Sequence, residues 1–157
     1  MLSDWEILRA IKKGNIIIDP FDEKQLTPNG YDLSVDKIEV DDKELIVNNG
    51  GNFLIPAKTD FCVLTRETIR CPLDISAQLW LKSKFARNGV QATFGMVDAS
   101  YDRTLTLGMF NGSNNFLEIP KGRTICQIVF IRLGTNAILS YKERSGNYQN
   151  QKDKIMK

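Results

Sequence analysis

Histidine is absent from these 157 residues. Any chemistry must do without the commonest general acid–base group and the commonest zinc ligand. A Ser-His-Asp or Cys-His relay is excluded, and so is a zinc-bound water held by His/Cys/Cys. Cysteine is nearly as scarce: Cys62, Cys71 and Cys126 lie far apart and form no CxxC pair. They read as small buried apolar residues rather than ligands or a disulfide framework. No apolar run reaches the roughly 18 residues that a membrane span needs. The opening "MLSDWEILRA" lacks the basic-then-apolar order of a signal peptide. One-sided charge is missing too. The formal net charge is +2 and the basic residues are scattered, so neither a DNA or RNA polymer nor a membrane is an expected partner. A cytoplasmic protein is predicted.

What is present suffices for a core. Hydrophobic residues make up 42% of a chain of single-domain size, so one domain is expected over residues 1–157. Ser3 with Glu6 three places on makes a capping box, Ile7, Leu8 and Ile11 form one apolar stripe, and Gly14 follows. This predicts a short helix over residues 4–13. From "NIIID" onward the chain is short β runs broken by turn residues: "YDLSVDKIEV", "DFCVLTRETI", "SAQLWLKS", "GVQATFGMVD", "TLTLGMF" and "TICQIVFIRL". Strands at roughly ten-residue spacing predict an all-β sandwich, barrel or jelly roll. The polar stretch 142–157 reads as a flexible tail or a flap that orders over a ligand.

Four segments could carry chemistry. In "LWLKSKFARNGV", Lys82, Ser83 and Arg87 combine cations with a hydroxyl. That set suits a polyphosphate, or equally forms a solvated turn. "PNGYDLSVD" reads as a turn followed by an edge strand, with Asp32 on the face opposite Tyr31 and Leu33. In "FGMVDASYDRTLTLGMFN", Asp98 stands at the corner of a β-hairpin. It is either an Asx-turn bonding its own backbone or a carboxylate base orienting a water, with Tyr101 stacking on a sugar or base. Gln127 is a lone amide in the apolar strand of "KGRTICQIVF", so it needs hydrogen-bond partners in the protein or in a ligand.

Taken in order, these segments resemble the dUTPase and dCTP deaminase superfamily, on its deaminase-like branch with the archaeal dUTPases and bifunctional enzymes. "TPNGYDLSV" resembles "QPNGxDLRV", and "LKSKFARNGV" resembles "RSSLARLGV" with Lys82 in place of Arg. "FGMVDASYDRTLTLGMFN" resembles "AGWIDPGFxGxITLELxN", with Arg103 where Gly is common. "KGRTICQIVF" resembles "GxRIGQLIF", keeping Gly122, Arg123 and Gln127. The tail resembles "Y…KYQxQ", keeping Tyr148 and Gln151 but with Asn147 for Lys.

The resemblance implies a distorted β jelly roll assembled as a homotrimer, with active sites between subunits. It implies that Asp98 holds the water attacking the α-phosphate of dUTP, and that Tyr101 packs under the deoxyribose. Lys82, Ser83, Arg87 and Gln127 would bind phosphate, and Tyr148 and Gln151 would close over the nucleotide. Mg²⁺ is expected, held mainly by the triphosphate and water. Deaminases of this group carry a glutamate ten residues after that aspartate, where this chain has Gly108. The expectation is therefore a dUTP diphosphatase. The alternatives are a dCTP deaminase, bifunctional or not, with another proton carrier, and a non-catalytic nucleotide-binding regulator.

Overall fold

In a computed structural model the chain is described over residues 1–144. Helix α1 (Asp4–Lys12) begins as the capping box requires, with the Ser3 side chain accepting from the Glu6 N–H and the Glu6 carboxylate accepting from the Ser3 N–H. Lys13, expected as the last helical residue, is the C-cap, and Gly14 follows at φ +70°. After β1 (Ile17–Asp19) and a 3₁₀ turn (Glu23–Gln25), the strands are β2 (Leu26–Thr27), β3 (Gly30–Val40), β4 (Lys43–Glu44), β5 (Asn52–Ile55), β6 (Thr59–Arg70) and β7 (Ile75–Leu81). Then come α2 (Ser83–Arg87), β8 (Val90–Ala92), β9 (Met96–Val97), β10 (Asp102–Asn111), β11 (Leu117–Pro120), β12 (Thr124–Arg132) and the turn of helix α3 (Tyr141–Arg144).

The all-β expectation holds. One large antiparallel sheet runs β8-β10-β6-β3-β12-β7-β9, with β1 on β6 and β2 and β4 on β3; β5 and β11 form a separate pair. The curl of the jelly roll comes from β3, whose first half pairs with β12 (Asp32 opposite Gln127) and whose second half pairs with β6 (Ile38 opposite Val63). A register shift lies in each ladder. Alternating residues of these strands turn inward as one core, including Tyr31, Leu33, Phe61, Ile69, Ile128 and Phe130. No helix among the described residues is long and apolar enough to cross a membrane.

Two local expectations are corrected. "PNGYDLSVD" is not an edge strand, because β3 sits in the middle of the sheet between β6 and β12. Its Asp32 survives there because it is half-buried beside a cation. Nor do the strands on either side of Asp98 form a simple hairpin. "GVQATFGMVD" breaks at Thr93–Gly95 into β8, which pairs with β10, and β9, which pairs with β7 instead. Partner choice by packing overrides the local hairpin pattern.

Candidate functional site

The basic segment starts where β7 ends. Lys82 caps α2 by backbone alone, and α2 buries Phe85 while Ser83 and Arg87 stay exposed. The Lys82 side chain crosses β12 to reach Asp32 of β3, forming an ion pair, and its ammonium also donates to Thr124 Oγ1 at 3.2 Å. On β12, Gln127 lies directly between Asp32 and Trp80 in the cross-strand row. Residues paired in this way share a sheet face, so Asp32, Gln127 and Trp80 project together. The Gln127 amide donates to Thr27 Oγ1 at 2.7 Å, which answers the hydrogen-bonding need raised by its strand position. Lys82 and Gln127 thus form one polar cluster, with Ser83 and Arg87 on the adjoining helix.

Asp98 follows β9 at the start of a tight turn. Its carbonyl accepts from the Tyr101 N–H at 3.2 Å, and Ser100 adopts φ +63°. The turn is therefore closed by backbone, not by an Asx side-chain bond. Among the described residues no hydrogen bond or ion pair engages the Asp98 carboxylate, which is exposed. It opens on a cavity of about 360 Å³ shared with Ser76, Met96, Leu139 and Tyr141. Tyr101 is half-buried: its hydroxyl donates to the Thr104 carbonyl at 2.7 Å and its ring meets Tyr141 edge-on at 5.7 Å. Burial pushes the Tyr101 phenol up to about 12.

The two clusters do not meet within one chain. Asp98 shares its cavity with Ser76 near the start of β7, whereas Lys82 lies just beyond that strand's end. Five steps along the strand, roughly 17 Å, separate Ser76 from Leu81.

Gly108 on β10 pairs with Cys62 on β6, and an added Cβ would meet nothing within 4 Å. The β8–β10 ladder covers only Ala92–Met109 to Val90–Asn111, so the strands part beside Gly108. A hollow of about 480 Å³ opens there, lined by Gly108 with Asp60, Cys62, Gln91 and Thr93. Asp60 is a carboxylate that sequence reasoning missed. It reaches this hollow only through its register opposite Phe110, which no local pattern encodes. Asp32 does have a signal in the sequence: the alternation of "YDLSV" turns it away from the core, though not toward any particular partner. The carboxylates after Gly108 among the described residues fall elsewhere: Glu118 is on β11 of the two-stranded sheet, and Glu143 accepts from Ser140.

No group of three His, Cys, Asp or Glu side chains among the described residues could hold a metal ion. A cation caged by protein side chains does not fit here, whereas one carried by phosphate oxygens and water needs no such cage. Lys142–Arg144 belong to α3, while Tyr148 and Gln151 lie outside the described residues.

All three cysteines are reduced and buried. Burial pushes the Cys71 and Cys126 thiols up from an ordinary 9 to about 12. With Tyr101 they keep their protons in the folded chain at pH values where the unfolded chain has lost them. Their contribution to stability is complete below pH 9 and is lost as pH rises toward 12. The urea midpoint is expected to fall between pH 8.5 and 11. A midpoint that rises over this interval would contradict the burial of these groups.

A family profile described as dCTP deaminase-like matches residues 1–133. The chain is 42% identical over 153 residues to the dCTP deaminase of Thermococcus kodakarensis, covering 97% of this chain and 94% of that protein. In three dimensions it is similar to the 2'-deoxycytidine 5'-triphosphate deaminase of Agrobacterium tumefaciens, with a TM-score of 0.71 at 19% identity over 85% of this chain and 48% of that one. It is also similar to the EIAV dUTPase, with a TM-score of 0.57 at 18% identity over 82% of this chain and 96% of that one.

Proposed function

This chain belongs to the dCTP deaminase-like family, and from that premise we propose that it hydrolyses dUTP to dUMP and pyrophosphate. The observation that carries this reading is Gly108. Ten residues beyond Asp98, where the deaminases that the sequence resembles place their proton-carrying glutamate, the chain has no side chain at all. A positioned acid or base is worth roughly 10²–10⁴ in rate. Its loss removes deamination selectively, because phosphate chemistry draws on different residues.

In this reading the Asp98 carboxylate orients a water and takes its proton as the water oxygen bonds to the α-phosphorus. The bond from that phosphorus to the pyrophosphate oxygen breaks, and pyrophosphate leaves. An exposed carboxylate with no described partner is suited to this, since nothing competes for its lone pairs. Ser83, Arg87, Gln127 and Lys82 bind phosphate oxygens and offset the charge on the leaving group. Mg²⁺, bound to the triphosphate and water, supplies further charge neutralisation. The Tyr101 ring packs under the deoxyribose; its hydroxyl is already committed to Thr104. The parted backbones beside Gly108 leave main-chain groups to read the uracil edge. Tyr148 and Gln151 close over the bound nucleotide. The separation of the Asp98 turn from the Lys82 cluster supports a site completed by another copy, in a trimer. Action in the cytoplasm goes with a free nucleotide substrate.

A second reading, deamination of dCTP, is favoured by the name of the Thermococcus relative and by Asp60, a carboxylate lining the hollow beside Gly108. One experiment separates the two: incubation with Mg²⁺ and either dUTP or dCTP, measuring pyrophosphate and ammonia. Pyrophosphate from dUTP without ammonia from dCTP is expected. Ammonia from dCTP would refute the main reading, and silence with both nucleotides would point to a non-catalytic nucleotide-binding protein.

A further inference from the structure

Two of the four side chains assigned to phosphate, Lys82 and Gln127, are held by a single short stretch, residues 25–32. Thr27 accepts from the Gln127 amide at 2.7 Å, and Asp32 pairs with the Lys82 ammonium. Asp32 is the more buried partner, its side chain 14% exposed against 33% for Lys82, so the carboxylate is the fixed end of the pair. The stretch is itself tied down. Gln25 donates to the Asp32 carbonyl at 2.9 Å and to Glu67 at 3.2 Å, and the buried Glu67 carboxylate also accepts from the Ser34 N–H at 2.9 Å.

Close approach is built in at Gly30. A Cβ there would lie 2.5 Å from the Ile128 carbonyl oxygen and 3.2 Å from the Gln127 Cγ. Only a glycine lets the turn seat against β12 beside Gln127.

Donor arithmetic shows what this seat leaves available. An ammonium has three N–H donors and a carboxamide nitrogen has two. Asp32 and Thr124 take two from Lys82, and Thr27 takes one from Gln127. Among the described residues one donor of each remains; Lys82, just past the end of β7, and Gln127, on the neighbouring β12, are linked through Asp32, which pairs with the first and lies opposite the second.

We infer that Asp32 and Thr27 are positioning residues, which hold Lys82 and Gln127 so that one donor of each is aimed at a polyphosphate oxygen. This rests on the reading that Lys82 and Gln127 bind phosphate, but not on which base is recognised or on hydrolysis. Lysine lacks the planar fork by which arginine orients itself on an anion, so a lysine at this position depends on a fixed carboxylate for its direction. A structural ion pair would instead stabilise the strand junction without affecting ligand affinity.

The test is calorimetric binding of inorganic tripolyphosphate to the full chain, with thermal melting of every variant. Asp32→Asn is expected to weaken binding about tenfold, and Lys82→Met to weaken it by a similar factor. The double variant is expected to bind no worse than Lys82→Met alone, because Asp32 acts through Lys82. Thr27→Val is expected to weaken binding several-fold, and Thr27→Ser, which keeps the hydroxyl, to restore it. Multiplicative losses in the double variant would overturn the inference. So would a lowered melting temperature with unchanged affinity, tighter binding by Asp32→Asn, or no binding by the unaltered chain. Coupled losses in a chain that releases no pyrophosphate from dUTP would keep the positioning roles and discard hydrolysis. Uncoupled losses in a chain that does release it would do the reverse.

Discussion

Asp98→Asn is expected to lower pyrophosphate release from dUTP by about 10²–10⁴-fold, with nucleotide binding largely intact. The carboxamide has nearly the shape of the carboxylate and still orients a water, but it cannot take the proton. The substitution should leave the fold alone, since the side chain is exposed, has no described hydrogen-bond partner, and begins a turn closed through its own carbonyl. Surface changes of this kind usually fall within about 0.5 kcal/mol. An unchanged melting temperature therefore serves as the control. Full activity in the variant would mean that another group takes the proton; Asp60 in the Gly108 hollow would be the next residue to replace.

The largest loss of stability is expected at Asn111, the residue that ends "TLTLGMFN". Its side chain is fully buried. The two N–H groups of the amide nitrogen serve three carbonyls, Ile55 (3.2 Å), Pro56 (2.9 Å) and Asn115 (3.0 Å), one N–H being shared between two of them, and the amide oxygen accepts from Ser113 N–H (3.2 Å) and Oγ–H (2.7 Å). This one group joins the end of β10 to the end of β5 and to the turn before β11. Asn111→Ala would strand carbonyls and donors where water has little access, at a cost of about 1–3 kcal/mol for each unsatisfied buried group. With partial relaxation the net destabilisation is expected to be about 3 kcal/mol or more, which lowers the melting temperature by roughly 10 °C. Asn111→Asp should fare no better, because it loses the donors and buries a charge. A shift of only a degree or two would show that the loops supply their own hydrogen bonds.

These two residues differ in how far local sequence could identify them. Asp98 stands out in its motif, and the structure leaves it exposed, with no hydrogen-bond or ion-pair partner among the described residues. Asn111 has the same visibility in sequence, yet its role depends on residues about 55 positions upstream meeting it across β5. The sequence reading of Asp32 failed in a similar way. Its alternation with Tyr31 and Leu33 correctly places it away from the core. Whether that face is a bare edge or the seat of Lys82 depends on β12 and β7 lying alongside.

The hairpin around Asp98 is the clearest divergence. Apolar alternation on both sides of a turn is all that local pattern can offer, and it is satisfied equally by pairing β9 with β10 or with β7. The structure takes the second option, which parts the strands beside Gly108 and opens the hollow.

Sequence alone determined the all-β class, the capped first helix, the exclusion of histidine and zinc–histidine chemistry, and a glycine rather than a carboxylate at position 108. Each of these follows from residue identity or from periodicity within a few positions. Tertiary structure alone decided that β3 is central, that Lys82 is anchored to Asp32, that Asp60 faces the hollow, and that the Asp98 turn stands apart from the Lys82 cluster. Those facts depend on strand partners and registers, which are set by the packing of residues distant in the chain.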